Sequence, residues 1–418
     1  MTSQKINLRI FANRRMLICI FIGFSSGLPL FILINLIAAW LRSEGVDLKA
    51  IGLFALIGFP YTWKFMWSPL MDRFSIGRLG RRRGWMLFTQ LLLLVTVAGF
   101  GLLNPKTDIW TIAALAAVLA FFSASQDIVL DAYRREILSD DEQGLGTALH
   151  VNAYKLAGLV PGSLSLILAD LLPWSTVFLI TALFMLPGIV TTLLVAEPPQ
   201  YGAPPKTLHD AVVLPFREFV RRSGWQQALL VLSFIFLYKL GDSMAVALAT
   251  LFYLDLGFTK TEIGLIAKNA GLWMNVAGGL IGGVWLIKLG INRGLWVFGV
   301  IQAVVILGFW WLAQVGADKM VLAMVIGAEA FGVGLGTAAF TAFIARSTDP
   351  RYTATQFALF TSLASVPRTF ANASTGYLVE QAGWPAFFLL CTVLAIPGLL
   401  LLPKVAPWNE GSEPKKPT

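Results

Sequence analysis

Long apolar stretches, separated by short polar and basic connections, organise this chain. Counting them by the roughly 20 residues needed to cross about 30 Å of hydrocarbon predicts about twelve membrane-spanning helices. The predicted spans of the first half are 16–41, 50–71, 85–103, 109–133, 145–170 and 174–196. Those of the second half are 225–254, 262–287, 295–315, 320–345, 353–379 and 384–403. The pattern therefore predicts an all-α integral membrane protein made of two six-helix bundles.

The longest polar connection separates the two halves and is rich in proline, with prolines at 198, 199, 204 and 205. Such composition is typical of a linker, and 208–222 within it is predicted to form an amphipathic helix on the membrane surface. The predicted domains are an N-terminal bundle over 1–196, a cytoplasmic linker over 197–224, a C-terminal bundle over 225–404 and a polar cytoplasmic tail over 405–418.

Composition excludes several classes of function. Of the 418 residues 57% are hydrophobic and 13% charged, which a soluble protein of this size could not keep from water. The net charge of +9 does not indicate nucleic acid, because the basic residues punctuate the apolar runs and form no groove. Cys19 and Cys391 have no metal-site spacing, and neither paired histidines nor a serine elbow indicates an enzyme. A sensor that keeps the fold without transporting stays an alternative.

The distribution of lysine and arginine predicts the orientation of the chain. With the N-terminus placed in the cytoplasm, 22 of the 32 fall on the cytoplasmic side, five on the other side and five within spans. Cytoplasmic loops are enriched in these residues. Both termini are therefore expected to be cytoplasmic.

Two carboxylates lie in the stretch SASQDIVLDAYRRE, residues 123–136, which ends an apolar run. Asp127 and Asp131 are four residues apart and share one helical face. An ionised carboxylate facing hydrocarbon is costly, so this face is predicted to line a cavity. For Asp131 an alternative is a structural ion pair at the membrane edge, because Arg134 and Arg135 follow it.

Further charged residues fall within predicted spans. They are the cations Lys64, Lys155, Lys239, Lys268 and Arg368 and the acids Asp127, Asp242 and Glu329. If they converge on one cavity, the surplus of cations favours an anionic solute, and the acids are candidates to carry a coupling proton. Alternatives are a structural Lys239–Asp242 salt bridge and snorkelling of Lys64 and Lys268 to an interface.

Neutral polar residues in the spans suit a large hydroxylated solute. Together with the five cations named above, the candidates taken as substrate-binding are Gln126, Tyr238, Asn269 and Gln356. For each of them a hydrogen bond between two helices is the alternative.

The loop after the second span, SPLMDRFSIGRLGRRRGW over residues 68–85, resembles the cytoplasmic loop motif of the major facilitator superfamily, with an acid followed by a basic run. The corresponding loop of the second half, GGVWLIKLGINRG, keeps the glycines and Arg293 but has no acid. The alternative is a generic positive loop. Expected gating residues are Asp72, Arg73, Asp131, Arg134 and Arg135.

The combination of KFMWSPLMDR, SASQDIVLDA, YKLGD and ATQFALFTSLASVPR resembles the AmpG muropeptide permeases of this superfamily, from about residue 7 to residue 403. Matching those motifs carries the family's functional positions onto Lys64, Asp127, Lys239, Asp242, Glu329 and Arg368. Many members continue into two further hydrophobic helices, whereas a polar tail follows here.

The resemblance implies a proton-coupled symporter. It would import anhydromuropeptides from periplasm to cytoplasm by alternating access, in peptidoglycan recycling linked to β-lactamase induction and antibiotic resistance. It implies a multi-pass protein of the bacterial inner membrane. The expected partners are an anionic sugar-peptide, protons and lipid; the chain is expected to act as a monomer with no cofactor beyond the proton gradient. The alternative is a carrier of acetyl-coenzyme A or another anionic metabolite.

Overall fold

The structure is a computed structural model that describes residues 13–46, 57, 59–199 and 207–409. All regular secondary structure in these residues is helical. By contacts the chain divides into two units. Unit 1 holds Met1–Ser139, Leu149–Pro215 and Thr348–Leu359; unit 2 holds Asp140–Ala148, Phe216–Ser347 and Phe360–Thr418. Three of the five boundaries fall within helices, so three helices contribute residues to both units.

The described helices of the first half lie on the predicted spans, while residues 50–56 and 58 of the predicted second span lie outside the described part of the structure. They are α1 (Arg14–Phe31), α2 (Ala38–Ser43), α3 (Phe59–Trp63), α4 (Ser68–Arg73), α5 (Arg81–Phe100), α6 (Ile109–Ile137), α7 (Gln143–Ala157), α8 (Ser165–Ala169), α9 (Trp174–Leu183) and α10 (Leu186–Leu194). A π-helical turn, Ile32–Ile37, joins α1 to α2 and another, Val160–Leu164, joins α7 to α8.

The remaining helices are α11 (Leu208–Ser223), α12 (Trp225–Leu237), α13 (Leu240–Ala247), α14 (Ala249–Asp255), α15 (Lys260–Val315), α16 (Lys319–Ser347) and α17 (Thr353–Val405). Two of them contain a non-helical glycine. Gly290 in α15 and Gly383 in α17 each have φ 74°, a conformation that glycine adopts without a steric penalty. Each glycine falls between two predicted spans, so each of these long helices covers two consecutive predicted spans.

Nine helices of the described part of the chain are long and apolar enough to cross a membrane. One of the nine, Asn269–Val315, contains the break at Gly290 and so covers more than one span. The prediction of an all-α membrane protein is confirmed.

Small residues let the helices of unit 1 approach closely. A Cβ added to Gly23 would lie 2.3 Å from the His150 carbonyl oxygen, and one added to Gly27 would lie 2.2 Å from that of Tyr154. Only glycine fits such a contact, so α1 packs backbone to backbone against α7. Away from this contact, Trp40 packs edge-on against Phe178 with ring centroids 4.9 Å apart.

Unit 2 uses the same device between α15 and α16. A Cβ at Gly334 would lie 2.3 Å from the carbonyl oxygen of Asn275. Its apolar core includes Phe252, Phe309 and Phe388, all fully buried. Phe252 packs edge-on against Phe388 at 4.7 Å, which fills the space between α14 and α17.

Candidate functional site

Asp127 lies on α6 and is only 8% exposed. The Ser26 hydroxyl of α1 donates a hydrogen bond to its carboxylate. Lys64, 7% exposed, is the cation that interacts electrostatically with it. A buried carboxylate is costly unless hydrogen bonds and opposite charge offset its burial, and here Ser26 supplies a hydrogen bond and Lys64 the opposite charge. The structure thus brings together two of the residues that the sequence analysis assigned to a cavity.

A local irregularity in the backbone places the lysine. A 3₁₀ turn, Lys64–Met66, separates α3 from α4. On its N-terminal side the Tyr61 hydroxyl donates to Ser123 Oγ at 2.7 Å, and on its C-terminal side Trp67 Nε1 donates to Ser125 Oγ at 3.0 Å. These two bonds hold the turn along α6, which brings the lysine beside the carboxylate. Short 3₁₀ stretches inside helices are common at functional hinges.

Gln126, the residue before the buried carboxylate, points to α1. Its Nε2 donates to Ser25 Oγ at 2.9 Å and to the Ser25 carbonyl oxygen at 3.1 Å. Two adjacent residues of α6 therefore bind two adjacent serines of α1. This geometry favours the alternative considered for Gln126, a hydrogen bond that joins two helices.

Asp131 lies one turn further along α6, with 16% of its side chain exposed. Arg134 Nη2 is 3.1 Å from Asp131 Oδ1, and His150 Nε2 of α7 is 3.8 Å from the same oxygen. The Arg134 guanidinium also lies over the ring of Phe357, 5.5 Å from its centroid. These contacts favour the structural ion pair that was the alternative for Asp131. Arg135 is half-buried.

A buried charge network occupies the end of unit 1 that carries the loop motif. Arg82 is fully buried, and its Nη2 donates to Asp72 Oδ1 at 2.8 Å and to Glu136 Oε1 at 2.6 Å. Arg82 Nη1 donates to the Met71 carbonyl oxygen at 3.2 Å. Arg81 Nη2 lies 3.4 Å from Glu136 Oε1. Two acids and two arginines balance each other here, as burial of charge requires.

Asp72 also binds the start of α17, in the segment 348–359 that belongs to unit 1. Its Oδ2 accepts hydrogen bonds from the backbone N–H of Thr355 at 2.9 Å and from the Thr355 hydroxyl at 2.7 Å. The backbone N–H of Ala354 lies 3.4 Å from Oδ1. The first N–H groups of a helix have no partner within it and favour negative charge. Asp72 therefore caps α17 from another part of the chain.

Glu197, just after α10, caps α5 in a similar way. Its two carboxylate oxygens accept the backbone N–H groups of Arg82 at 2.8 Å and of Arg83 at 3.0 Å. The side chain of Arg83 donates in turn to the carbonyl oxygen of Thr192 on α10 at 3.0 Å. The last span of the first half is thus tied to the basic end of α5.

In unit 2, Lys239 and Asp242 form the predicted pair, with Lys239 Nζ 3.3 Å from Asp242 Oδ2. Both side chains are mostly buried, and Lys239 lies in the break between α12 and α13. Tyr238 beside them donates its hydroxyl to the Leu295 carbonyl oxygen at 2.9 Å, and its ring stacks on Phe340. The geometry favours a structural role for Tyr238.

Glu329 lies on α16 and is 8% exposed. It interacts electrostatically with Tyr253 of α14. The glycines that follow it explain how polar side chains approach this part of α16, since a Cβ at Gly336 would lie 2.0 Å from Gln302 Oε1. Glu329 is therefore a buried acid at the packed face of a glycine-rich helix.

The other predicted residues are dispersed. Asn269 is exposed and donates to the Leu265 carbonyl oxygen of its own helix at 2.7 Å. Gln356 is buried and donates to the Pro215 carbonyl oxygen at 2.9 Å. Lys155 is half-buried, and Arg73 lies over its own neighbour Phe74. The side chains of Lys268 and Arg368 lie outside the described part of the structure.

Several residues of these clusters were not predicted from the sequence. They are Ser26, Tyr61, Arg82, Glu136, Glu197 and Thr355. Glu136 ends the same stretch as Asp127, so a search for every acid in that stretch would have found it. Arg82 is one of three consecutive arginines, and their order in the chain does not indicate which one is buried. The partners on other helices had no local signal.

Comparisons with known proteins find similarity over most of the chain. The model of the Major Facilitator Superfamily matches residues 19–372 and, in a second match, 235–418. The anhydromuropeptide permease of Escherichia coli K12 is 42% identical over 94% of this chain and 80% of its own length. An uncharacterised protein of Haemophilus influenzae is 49% identical over 98% of each chain. The putative transporter AmpG 4 of Rickettsia conorii is 30% identical over 94% of this chain and 97% of its own.

Among solved structures, the crystal structure of the human organic anion transporter MFSD10 superimposes with a TM-score of 0.73 at 16% identity. It covers 93% of this chain and 99% of the human one. At this identity the likeness concerns the fold alone.

Proposed function

The chain belongs to the major facilitator superfamily and, within it, to the family of the AmpG permeases, and we propose that it imports anhydromuropeptides by proton symport. As a member of this family it is a membrane transporter and not an enzyme. The observation that supports this substrate is the 42% identity to the Escherichia coli anhydromuropeptide permease over 94% of the chain. The proposed direction is from periplasm to cytoplasm across the bacterial inner membrane.

The buried Lys64 and Asp127 support an anionic substrate coupled to a proton. In the structure Lys64 is the cation that acts on Asp127. When Asp127 takes up a proton, this lysine loses its partner and becomes available to a carboxylate of the substrate. Binding of proton and substrate would then favour each other, which is the requirement for symport. Lys239 and Asp242 of unit 2 form a pair of the same composition, for which we propose the same behaviour.

We propose that the carrier works by alternating access and that the bonds of Asp72 contribute to gating. Transport requires the helices to rearrange as the site opens to one side and then the other. The bonds from Thr355 to Asp72 join α17 to the loop motif. Such charge-assisted bonds at a helix start are strong yet local, so they suit a contact that forms and breaks.

Uptake into proteoliposomes under an imposed inward proton gradient tests the function. The wild-type protein should accumulate a labelled anhydromuropeptide, and unlabelled anhydromuropeptide should compete better than acetyl-coenzyme A. If acetyl-coenzyme A competes better, the alternative substrate class replaces the proposed one.

The Asp127→Asn variant tests the coupling. It should lose accumulation driven by the proton gradient and keep exchange of labelled for unlabelled substrate, because exchange needs no net proton movement. Asp141→Asn is the matched control, since Asp141 is exposed in a loop. Normal accumulation by Asp127→Asn would remove Asp127 from the proton pathway.

A further inference from the structure

Helix α11 is held at the level of a membrane surface by its sequence neighbours. A single residue, Gly224, separates its last residue from α12, which begins a candidate membrane span at Trp225. Gly224 has φ 78°, so the chain turns sharply there. Trp225 is 68% exposed at the first position of the span, the place where tryptophan marks a membrane–water interface. The C-terminal end of α11 therefore lies at such an interface.

One face of α11 is occupied by the protein itself. Phe219 is 6% exposed and packs edge-on against Phe360, with ring centroids 5.1 Å apart. Arg222 Nη2 donates to the Ser347 carbonyl oxygen at 2.7 Å and lies 3.6 Å from Glu218. These contacts fix the rotation of the helix about its axis.

The opposite face is exposed and mixes apolar with basic side chains. Val212, Val213 and Phe216 are 45%, 38% and 41% exposed, and Arg217 and Arg221 are exposed beside them. Helical spacing puts Val212 and Phe216 in one row and Arg217 and Arg221 in the adjacent row. Apolar side chains flanked by arginines are typical of helices that lie in a lipid headgroup layer.

We propose that this face of α11, formed by Val212, Val213, Phe216, Arg217 and Arg221, binds anionic phospholipid. The apolar row would enter the acyl boundary, and the two arginines would bind headgroup phosphates. Charge complementarity selects this ligand, because both arginines lie on the free face while Glu218 is turned to Arg222. Asp210 shares the basic row, but two turns away at the start of the helix.

Spin-label accessibility tests the immersion of the helix. Cys19 and Cys391 are buried, so their replacement by alanine leaves a background for single labels at Phe216→Cys or Val213→Cys. Leu179→Cys, on the exposed side of α9, gives the lipid reference, and Asp141→Cys the water reference. In phosphatidylcholine–phosphatidylglycerol nanodiscs the label at 216 should be reached by oxygen more than by a nickel chelate, as at 179. A nickel-accessible label, as at 141, overturns the proposal.

Native mass spectrometry of the full chain tests the lipid charge. The wild-type protein should retain phosphatidylglycerol over phosphatidylcholine, and Arg217→Gln with Arg221→Gln should lower that preference by about fivefold per arginine. Arg42→Gln with Arg78→Gln is the control, because it removes the same charge from exposed positions elsewhere. An unchanged preference in the α11 variant, or shielding of label 216 from both reagents by a second copy or another protein, overturns the proposal. None of these measurements depends on transport.

Discussion

The loops that follow the second span of each half bind neighbouring segments of the chain through different side chains, a carboxylate in the first loop and an amide in the second. In unit 1, the Asp72 carboxylate accepts hydrogen bonds from the Arg82 guanidinium and from the backbone N–H and hydroxyl of Thr355 at the start of α17. In unit 2, Asn292 occupies the loop: its Oδ1 accepts from Arg346, and its Nδ2 donates to the Pro407 carbonyl oxygen at 3.0 Å.

The difference follows from what a carboxylate and an amide can do. A carboxylate only accepts hydrogen bonds, so Asp72 binds the N–H groups at the start of a helix. An amide also donates, so Asn292 binds a carbonyl group of the C-terminal segment. Arg293 Nε and Trp296 Nε1 bind the neighbouring carbonyl groups of Trp408 and Ala406. The loop with the acid thus binds a helix start, whereas the loop without an acid binds the segment that follows α17.

The two loops also differ in how strongly their contacts stabilise the protein. Arg82 lies fully buried between two carboxylates, whereas Arg346 is half-buried and donates to the Asn292 amide oxygen. Removing one member of a buried charge network leaves charges uncompensated, which costs far more than losing a half-buried hydrogen bond. The first loop should therefore tolerate substitution much less than the second.

The largest expected effect is that of Arg82→Met. It removes the closest cation of both Asp72 and Glu136 and leaves them Arg81, at 3.9 and 3.4 Å, so it should destabilise the protein by about 3–5 kcal/mol. Arg346→Met should cost about 1–2 kcal/mol. The two variants are compared by SDS titration in dodecyl maltoside micelles, followed by circular dichroism. Equal costs would end the distinction between the two loops.

Replacing the acid of the first loop by an amide, and the amide of the second loop by an acid, should have the next largest effect. In Asp72→Asn the new amide offers one acceptor in place of two, so the cap of α17 should weaken by about 1–3 kcal/mol and the Thr355 amide should exchange hydrogen faster. Asn292→Asp serves as its control, because it should leave Thr355 unchanged. Hydrogen exchange read by mass spectrometry measures both. Unaltered exchange at Thr355 in Asp72→Asn would show that other contacts hold the start of α17.

Two tryptophans give a smaller test of where each loop is attached. Trp85 Nε1 donates to the Phe74 carbonyl oxygen within the first loop at 2.8 Å, and Trp296 Nε1 donates to that of Ala406 at 3.0 Å. Trp296→Phe should weaken the attachment of the C-terminal segment by about 1 kcal/mol and raise deuterium uptake over 404–409. Trp85→Phe should leave that uptake unchanged. Equal uptake in both variants would contradict the assignment.

The smallest expected effect lies away from both loops. Lys319 Nζ and Glu262 Oε1 are 2.7 Å apart, but 67% of the lysine side chain is exposed. Exposed ion pairs contribute little and are screened by salt. Glu262→Gln should therefore leave the thermal unfolding temperature almost unchanged in moderate salt, and a large decrease would mean that exposed pairs matter as much as the buried network.

Much of the fold was predictable because it depends on local pattern. The apolar periodicity located the spans, and the breaks at Gly290 and Gly383 fall where the pattern predicted connections. The Lys239–Asp242 pair was predictable for the same reason, since residues three apart on a helix share a face.

Contacts between residues far apart in sequence could not be predicted from local pattern. The contact of Ser26 with Asp127 joins residues 101 apart, and that of Thr355 with Asp72 joins residues 283 apart. No period in the sequence encodes such distances. For the same reason Gln126 and Tyr238, chosen as substrate ligands, proved to be hydrogen-bonded to neighbouring helices.

By itself the sequence determined which segments enter the membrane, because the transfer of about 20 apolar residues into hydrocarbon depends on composition alone. It also determined which charged residues would be costly there. Only the tertiary structure decided which partners offset that cost, because a buried charge is satisfied by whatever atom packing brings within about 3 Å of it. That is why the loop with Asp72 binds a helix start and the loop with Asn292 binds the chain's own C-terminal segment.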